Sequence, residues 1–532
     1  MQLFRKTLRL SSQAPTGFLL SALALLMFGF QSGAHNADVS WLTDMCARIL
    51  AGERAYVDIF ETTPPIPALL YMPGAAAERY FGWPAEAVII GYVSIFYVLV
   101  LTYAAQLGPV SIKDAVSFKA IFIAPAAFFI FVLTHDTFAQ REAIALAAMT
   151  PLLSAAIKRT EGHDWPLWHH QVAVGALAGF GAAVKPPIFA IPLLILGAYL
   201  VISERRLDPL WKSGLITSAI TFTTLTGFSL LMFPEYLTGV VPLMQEIYVR
   251  TTVSLSTYLG SKPLFVFLTL TAGFLILIRK EKITPTLSIP AVMALGFFVV
   301  FILQGKLFHY HALPAVYFGY LALCLAGGLA LQKWMASDDQ PNTFFSLGSV
   351  PVGFKQIALI SGISIIIPAI TYDLCTDDKY PFADLAWSED LDKPTALGIS
   401  PTILTSFPLS RTIDAKWIDR IHSQWVVHYS NIMLSREATS PEIRAKYERW
   451  RDNELERVAD LIRDEQPEII IHCVMGGARE LNERLLDLSP NLLAPYTAIA
   501  EERGIRILRR TSAIGGDRTD DRIAFESDVQ TD

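Results

Sequence analysis

Charge is what this sequence has little of. Only 17% of its 532 residues are Asp, Glu, Lys or Arg, against roughly 25% in soluble domains. Hydrophobic residues make up 52%, so the composition is that of a membrane protein. Cysteine is scarce as well: Cys46, Cys324, Cys375 and Cys473 have no metal-ligand spacing. No internal repeat is seen, which argues against the repeat-built transporter folds. No low-complexity tract and no nucleotide-binding loop occur, so direct use of ATP is excluded. The net charge of -6 is modest and gives no footprint for nucleic acid.

What charge there is falls unevenly. Residues 1–371 hold nearly all the long apolar runs, and residues 372–532 are rich in Arg, Asp and Glu. A helix needs about 20 apolar residues to cross the hydrocarbon core. Candidate spans fall at 15–33, 87–107, 118–134, 143–157, 170–185, 187–202, 213–233, 263–279, 287–304, 311–331 and 356–371. The expected fold is therefore a polytopic α-helical membrane protein of about eleven spans with a C-terminal soluble α/β domain. The basic start "MQLFRKTLRL" before "GFLLSALALLMFGF" reads as a retained first helix rather than a cleaved signal.

The positive-inside rule sets the orientation. With a cytoplasmic N-terminus, the short inner segments carry Arg5, Lys6, Arg9, Lys158, Arg159, Arg205, Arg206 and Lys212, and the longer outer ones carry fewer cations. An odd number of spans then puts the C-terminal domain outside. In a bacterium this is the inner membrane with a periplasmic domain. The same orientation gathers the polar interruptions on the outer face: His35, Asp38, Asp58, Glu61, His135, Asp136, Arg141, Glu142, Lys185, Glu235, Glu246, Lys306, His309 and His311. Charges beside apolar spans are costly and mark function, so an outward-facing site at membrane level is expected.

Each of these residues also has a plainer reading. Asp38 is placed to cap the amphipathic helix "VSWLTDMCARILAG". Glu61 and "TTPPIP" fit a loop-to-helix boundary, and Asp136 fits a cap. Lys185 and Lys306 can snorkel to the interface, and Arg141 has Glu142 beside it. As a set, Arg141, Lys185 and Lys306 suit an anionic headgroup such as a phosphate. His309, Tyr310 and His311 form a polar and aromatic cluster, but no acid adjoins them to complete a metal site.

The first outer loop, with Asp38, Trp41, Ala51, Gly52, Tyr56, Asp58, Glu61, Pro64 and Pro65, resembles that of the GT-C glycosyltransferases. "FAQRE", "VKPP" and "QGKLFHYHALP" are similar to later elements of the family's bacterial branch, which includes the aminoarabinose transferase type and relatives of the protein O-mannosyltransferases. The resemblance covers roughly residues 15–330. It departs from the family at "NADVSW", where a single Asp38 stands without an acidic neighbour.

The resemblance implies transfer of a sugar from a polyprenyl-phosphate donor to a hydroxyl of an envelope glycan, lipid or protein, with inversion. Asp38 would be the base, and Glu61 would place the acceptor or a divalent ion. Arg141, Lys185 and Lys306 would steady the leaving phosphate, with Asp136, His309, His311 and Tyr56 around the substrate. Some members use a divalent cation and others none; no tightly bound metal is expected here. The rival reading is a flippase or transporter of lipid-linked sugars without transfer chemistry.

Three units follow: a membrane domain over 1–371 with outer loop 34–86, an α/β domain over 372–510, and a disordered tail over 511–532. In the α/β domain "EIIIHCV" and "IRILRR" read as strands around a long helical stretch. The turn in "CVMGGARE" can cradle a phosphate, though an ordinary strand-to-helix turn looks the same. The domain is expected to cap the outer face or help bind acceptor. If it lies outside, Cys375 and Cys473 can pair.

Overall fold

The structure is a computed structural model. It describes residues 24–25, 36–109, 111–112, 116–279, 284–335, 382, 385–436, 440–476 and 478–511. Nine of the eleven expected spans coincide with its helices; the segments 15–33 and 356–371 fall largely or wholly outside the described residues, as do His35, Cys375 and the tail beyond residue 511.

The membrane domain begins with α1 (Ala37–Leu50) and α2 (Met72–Phe81). Next come α3 (Ala85–Leu107), α4 (Lys119–Leu133), α5 (Arg141–Thr160) and α6 (Trp168–Ala183). It closes with α7 (Ile191–Glu204), α8 (Leu215–Met232), α9 (Lys262–Ile278), α10 (Pro285–Gln304) and α11 (His309–Met335). Among the described residues α3, α8, α10 and α11 are long and apolar enough to cross a membrane by themselves. α11 is the most enclosed of these, packed on α9 and α10, and α8 is the most exposed.

Local sequence explains the closest packing. Gly175 and Gly179 lie one helical turn apart on α6. A Cβ at either would collide with the backbone oxygens of Gly214 or Ser218 on the α8 side. This is the small-residue contact by which membrane helices approach when the hydrophobic effect cannot drive them together. A polar pair at the α5–α11 contact is satisfied: Thr150 Oγ1 and Tyr317 Oη are 2.8 Å apart. Tyr80, Phe81 and Trp83, all exposed, precede α3 as interface-anchoring aromatics do.

The C-terminal domain is a five-stranded mixed sheet with helices. Its strands are β1 (Thr395–Ile399), β2 (Lys416–Trp417), β3 (Ile469–Cys473), β4 (Tyr496–Glu502) and β5 (Ile505–Arg510), in the order β2-β1-β3-β5-β4. β1 pairs in parallel with β2 and β3. The two strands expected from sequence, β3 and β5, pair antiparallel, because β4 and β5 form a hairpin that returns the chain. That hairpin turns at Arg503 and Gly504, both with positive φ, as a tight hairpin turn requires. Helices α12 (Trp425–Leu434), α13 (Pro441–Glu465) and α14 (Ala478–Leu488) complete the domain.

The two domains are joined by specific contacts. Arg411 forks onto Glu78 at 2.9 and 3.0 Å and pairs with Glu86. Arg48 donates to the Asp419 carbonyl at 2.7 Å, and Phe60 N–H to the Arg420 carbonyl at 2.7 Å. Tyr447 donates to the Glu246 carbonyl at 3.1 Å. The polar clusters around Glu61, Arg141, Lys185 and Lys306 therefore lie at the end of the bundle that meets the α/β domain. Lys158, Arg159 and Arg205 close or follow helices at the opposite end.

Candidate active site

α1 begins one residue before Asp38, and Asn36, not Asp38, caps it. Asn36 Oδ1 accepts from the N–H groups of Asp38 and Val39 at 3.0 and 3.4 Å, a cap worth about 1 kcal/mol. The capping role that the sequence allowed Asp38 is taken, which frees its carboxylate. Gln140 Nε2 donates to Asp38 Oδ2 at 2.9 Å, and Arg141 Nη2 lies 3.6 Å from the same oxygen. Both contacts fall on Oδ2, and among the described residues none is found on Oδ1.

Trp41 follows Asp38 by three residues and so shares its face of α1. Its indole N–H donates to Glu61 Oε2. Glu61 Oε1 accepts from Thr63 N–H at 2.6 Å and Thr62 Oγ1 at 3.3 Å. With both oxygens engaged, Glu61 is a positioning residue that ties the "TTPPIP" turn to α1. Tyr56 serves the same turn: its hydroxyl donates to the Thr63 carbonyl at 2.9 Å and its ring is buried against Phe233 and Tyr236. Tyr56, expected at the substrate, is not among the residues that line the cavity. Asp58 is bound to its own loop, accepting Arg54 N–H at 2.8 Å and pairing with its guanidinium at 3.3 Å.

Arg141 begins α5 and reaches three elements. It donates to Thr63 Oγ1 at 2.7 Å, and it pairs with Asp38 and, through Nε at 3.6 Å, with Glu142. Glu142, fully buried, also takes Lys185 at 2.8 Å. The result is an alternating chain Asp38–Arg141–Glu142–Lys185 running inward from the cavity. Lys185 is the inner end of that chain and does not line the cavity.

Lys306 also departs from expectation. Its ammonium donates to the carbonyls of Tyr248 and Thr251 and to Thr251 Oγ1, which uses all three of its N–H bonds. It lies over the rings of Tyr248 and Tyr429, 4.2 and 4.6 Å from their centroids. These contacts tie it to the wall that carries Tyr248 and Tyr429. His309 lines the cavity, whereas His311 is buried behind it. Asp136 sits in the short turn His135–Thr137, its side chain outside what is described.

Between the domains these residues border a cavity of about 300 Å³, at the lower edge of the size range of small-molecule sites. Its membrane-side wall carries Asp38, Trp41, Glu61, Gln140, Arg141 and Tyr310. Its other wall belongs to the α/β domain, through residues that the sequence reading did not single out: Thr402, His422, Ser423, Trp425, His428 and Tyr429 among others. The loops after β1 and β2 supply it, at the carboxyl ends of parallel strands, where open α/β sheets hold ligands. Asp419 fixes the second loop from behind, accepting Arg457 at 2.7 and 3.1 Å and Ile421 N–H at 3.3 Å. Burial holds the imidazole of His422 below its usual pKa, against the pull of Glu61, Asp38 and Asp419. Burial also lowers His428, with Lys306 adding to the effect.

Among the described residues no three His, Cys, Asp or Glu side chains are grouped to hold a metal ion. The oxygens of Glu61, the acid nearest such a role, are already in hydrogen bonds. No step below uses a divalent cation.

The arrangement of a helical bundle under an α/β cap has a solved counterpart. This chain is similar in fold to ArnT. The crystal structure of ArnT from Cupriavidus metallidurans bound to undecaprenyl phosphate matches with a TM-score of 0.52 at 13% identity, covering 94% of this chain and 99% of that one. At this identity the likeness is one of fold: a helical membrane domain with a C-terminal sheet domain, as expected from sequence. No protein-family model and no curated protein matches the chain.

Proposed function

We propose that the protein is an inverting glycosyltransferase of the bacterial inner membrane, in the GT-C branch that includes the aminoarabinose transferases. Its donor is a sugar carried on a polyprenyl phosphate, and its acceptor is a hydroxyl on the outer face. The observation that carries the reading is Asp38: a carboxylate on the cavity wall with one oxygen tied to Gln140 and Arg141 and the other unbound. The fold shared with ArnT, whose solved structure holds undecaprenyl phosphate, supports the donor class.

The acceptor oxygen attacks the anomeric carbon from the face opposite the phosphate. Its proton passes to Asp38 Oδ1 as the new C–O bond forms. The bond from anomeric carbon to phosphate oxygen breaks, and the electron pair leaves with the lipid phosphate. Charge builds on that phosphate in the transition state, and Arg141 is the cation at the cavity to meet it. Glu142 and Lys185 hold Arg141 in place from inside.

The test is sugar transfer by purified protein in lipid nanodiscs, from a panel of polyprenyl-phosphate sugars to cell-envelope extract. Asp38→Asn should lower transfer about 10²–10⁴-fold with donor binding retained. Equal transfer in both proteins would remove Asp38 as base. Donor crossing the bilayer without transfer would favour the flippase instead.

A further inference from the structure

The wall contributed by the α/β domain is built unlike the wall that carries Asp38. It holds no charged side chain: its polar groups are the hydroxyls of Thr402, Ser423 and Tyr429, the imidazoles of His422 and His428, and the indole N–H of Trp425. His422 Nδ1 and Ser423 Oγ share a hydrogen bond at 2.8 Å. With both imidazoles lowered by burial, the wall is neutral at pH 7.

Two residues that line the cavity also carry a buried polar atom without a partner. Trp425 is 5% exposed, and its Nε1–H has no acceptor. Across the cavity Gln140 is 1% exposed. It spends its amide N–H on Asp38, while its Oε1 has no donor. Buried polar groups are almost always paired, so a spare donor and a spare acceptor on two lining residues, reached by a small turn of either side chain, suit a ligand that both accepts and donates. A phosphate at neutral pH is chiefly an acceptor; a sugar ring, with several hydroxyls, is both.

The apolar surface agrees. Tyr429 and Trp425 stand 6.3 Å apart, and Tyr248 meets them edge-on at 5.3 and 6.3 Å. Lys306 holds Tyr248 and Tyr429 from their faces. Aromatic rings with polar tips offer a sugar both a flat apolar surface and hydrogen bonds.

We infer that the acceptor is a neutral glycan, and that Trp425, His428 and Tyr429 with Gln140 opposite form the subsite for its acceptor sugar ring. This rests on the transfer reading for its name as acceptor site, but the sugar-binding claim stands by itself. The attacking hydroxyl is then one carried by the bound ring, presented to Asp38 beside Gln140.

The experiment is binding by saturation-transfer NMR to the full chain in nanodiscs. The probes are neutral disaccharides of mannose, galactose, rhamnose and arabinose, a sugar phosphate, and a Ser/Thr-rich peptide. At least one neutral disaccharide should bind. Trp425→Phe, which keeps a ring and removes the N–H, should weaken it about five- to tenfold, and His428→Ala should weaken it while leaving the melting temperature unchanged. No neutral disaccharide bound, preference for the phosphate or the peptide, or unchanged affinity in both wall variants would overturn the inference. If sugar binds through Trp425 but no donor supports transfer, the transfer reading fails alone. If transfer occurs but neither wall variant changes the KM for acceptor, the subsite fails alone.

Discussion

The two walls of the cavity solve opposite problems. On the membrane side, charge is brought to a low-dielectric place and must be paired: Asp38, Arg141, Glu142 and Lys185 alternate in sign over four residues. On the α/β side there is no ion pair among the cavity-lining groups, and a buried indole N–H waits unpartnered. A paired charge chain is stiff and holds a reacting geometry. An unsatisfied neutral surface is poised to take up a ligand. The difference suggests a division of labour, chemistry on one wall and recognition on the other, and it can be broken experimentally.

The largest effect is expected on the charged wall. Glu142 is fully buried between two cations, so Glu142→Leu alone leaves Lys185 buried without its carboxylate. Breaking a buried pair this way costs about 3–5 kcal/mol, read as denaturant stability in detergent. Lys185→Met alone should cost a similar amount. The double variant should be much more stable than the sum of the two losses, because both charges leave together. Simple additivity would mean that the chain is not a coupled unit and that Arg141 is held by other contacts.

Lys306 separates the walls more finely. Lys306→Met strands the carbonyls of Tyr248 and Thr251 and removes the cation from two rings. A cost of roughly 2–3 kcal/mol follows from the lost charge-assisted bonds. If Lys306 braces the recognition wall, steady-state kinetics should show a higher KM for acceptor with the KM for donor unchanged. A raised donor KM with a fall in kcat would return Lys306 to the phosphate, as its sequence position first suggested.

How far the sequence could be read follows from the same contrast. Helices, the loop-one residues and the gathering of Asp38 and Arg141 at one end of the bundle were within reach, because a charge beside an apolar run is visible in one dimension. What Lys306 and Tyr56 do was not, since nothing in "QGKLFHYH" or "AYVDIF" shows whose carbonyl a donor will meet. The recognition wall was missed because its residues carry no charge and lie more than 350 positions from Asp38. One signal was present: "IHSQWVVHY", residues 421–429, sets two histidines, a tryptophan and a tyrosine in one short stretch. Such a run in a soluble domain exceeds what a core helix needs. The parallel pairing of β1 with β2, which turns both loops to one edge, is a long-range fact that strand patterns do not reveal.

The smallest effect is expected at the joint between the walls. Asp44 lies on α1 away from the cavity lining, with Oδ2 buried and unpartnered. Burial raises its pKa to about 6, although Arg48 and Arg411 pull it down. The sign follows from proton counting. The folded state keeps the Asp44 proton up to about pH 6, while the unfolded chain releases it near the ordinary value of 3.8. The folded form is thus favoured by this residue at low pH, and that contribution is lost as pH rises through 6. Asp44→Asn should therefore stabilise the protein at pH 7, by about 1–3 kcal/mol. The gain in melting temperature should shrink toward zero as pH falls to 4. Because the substitution touches neither wall, transfer rate and glycan affinity should stay as they are. A change in glycan affinity without a change in stability would mean that the joint sets the spacing of the walls, and the division of labour would then extend to how α1 meets the α/β domain.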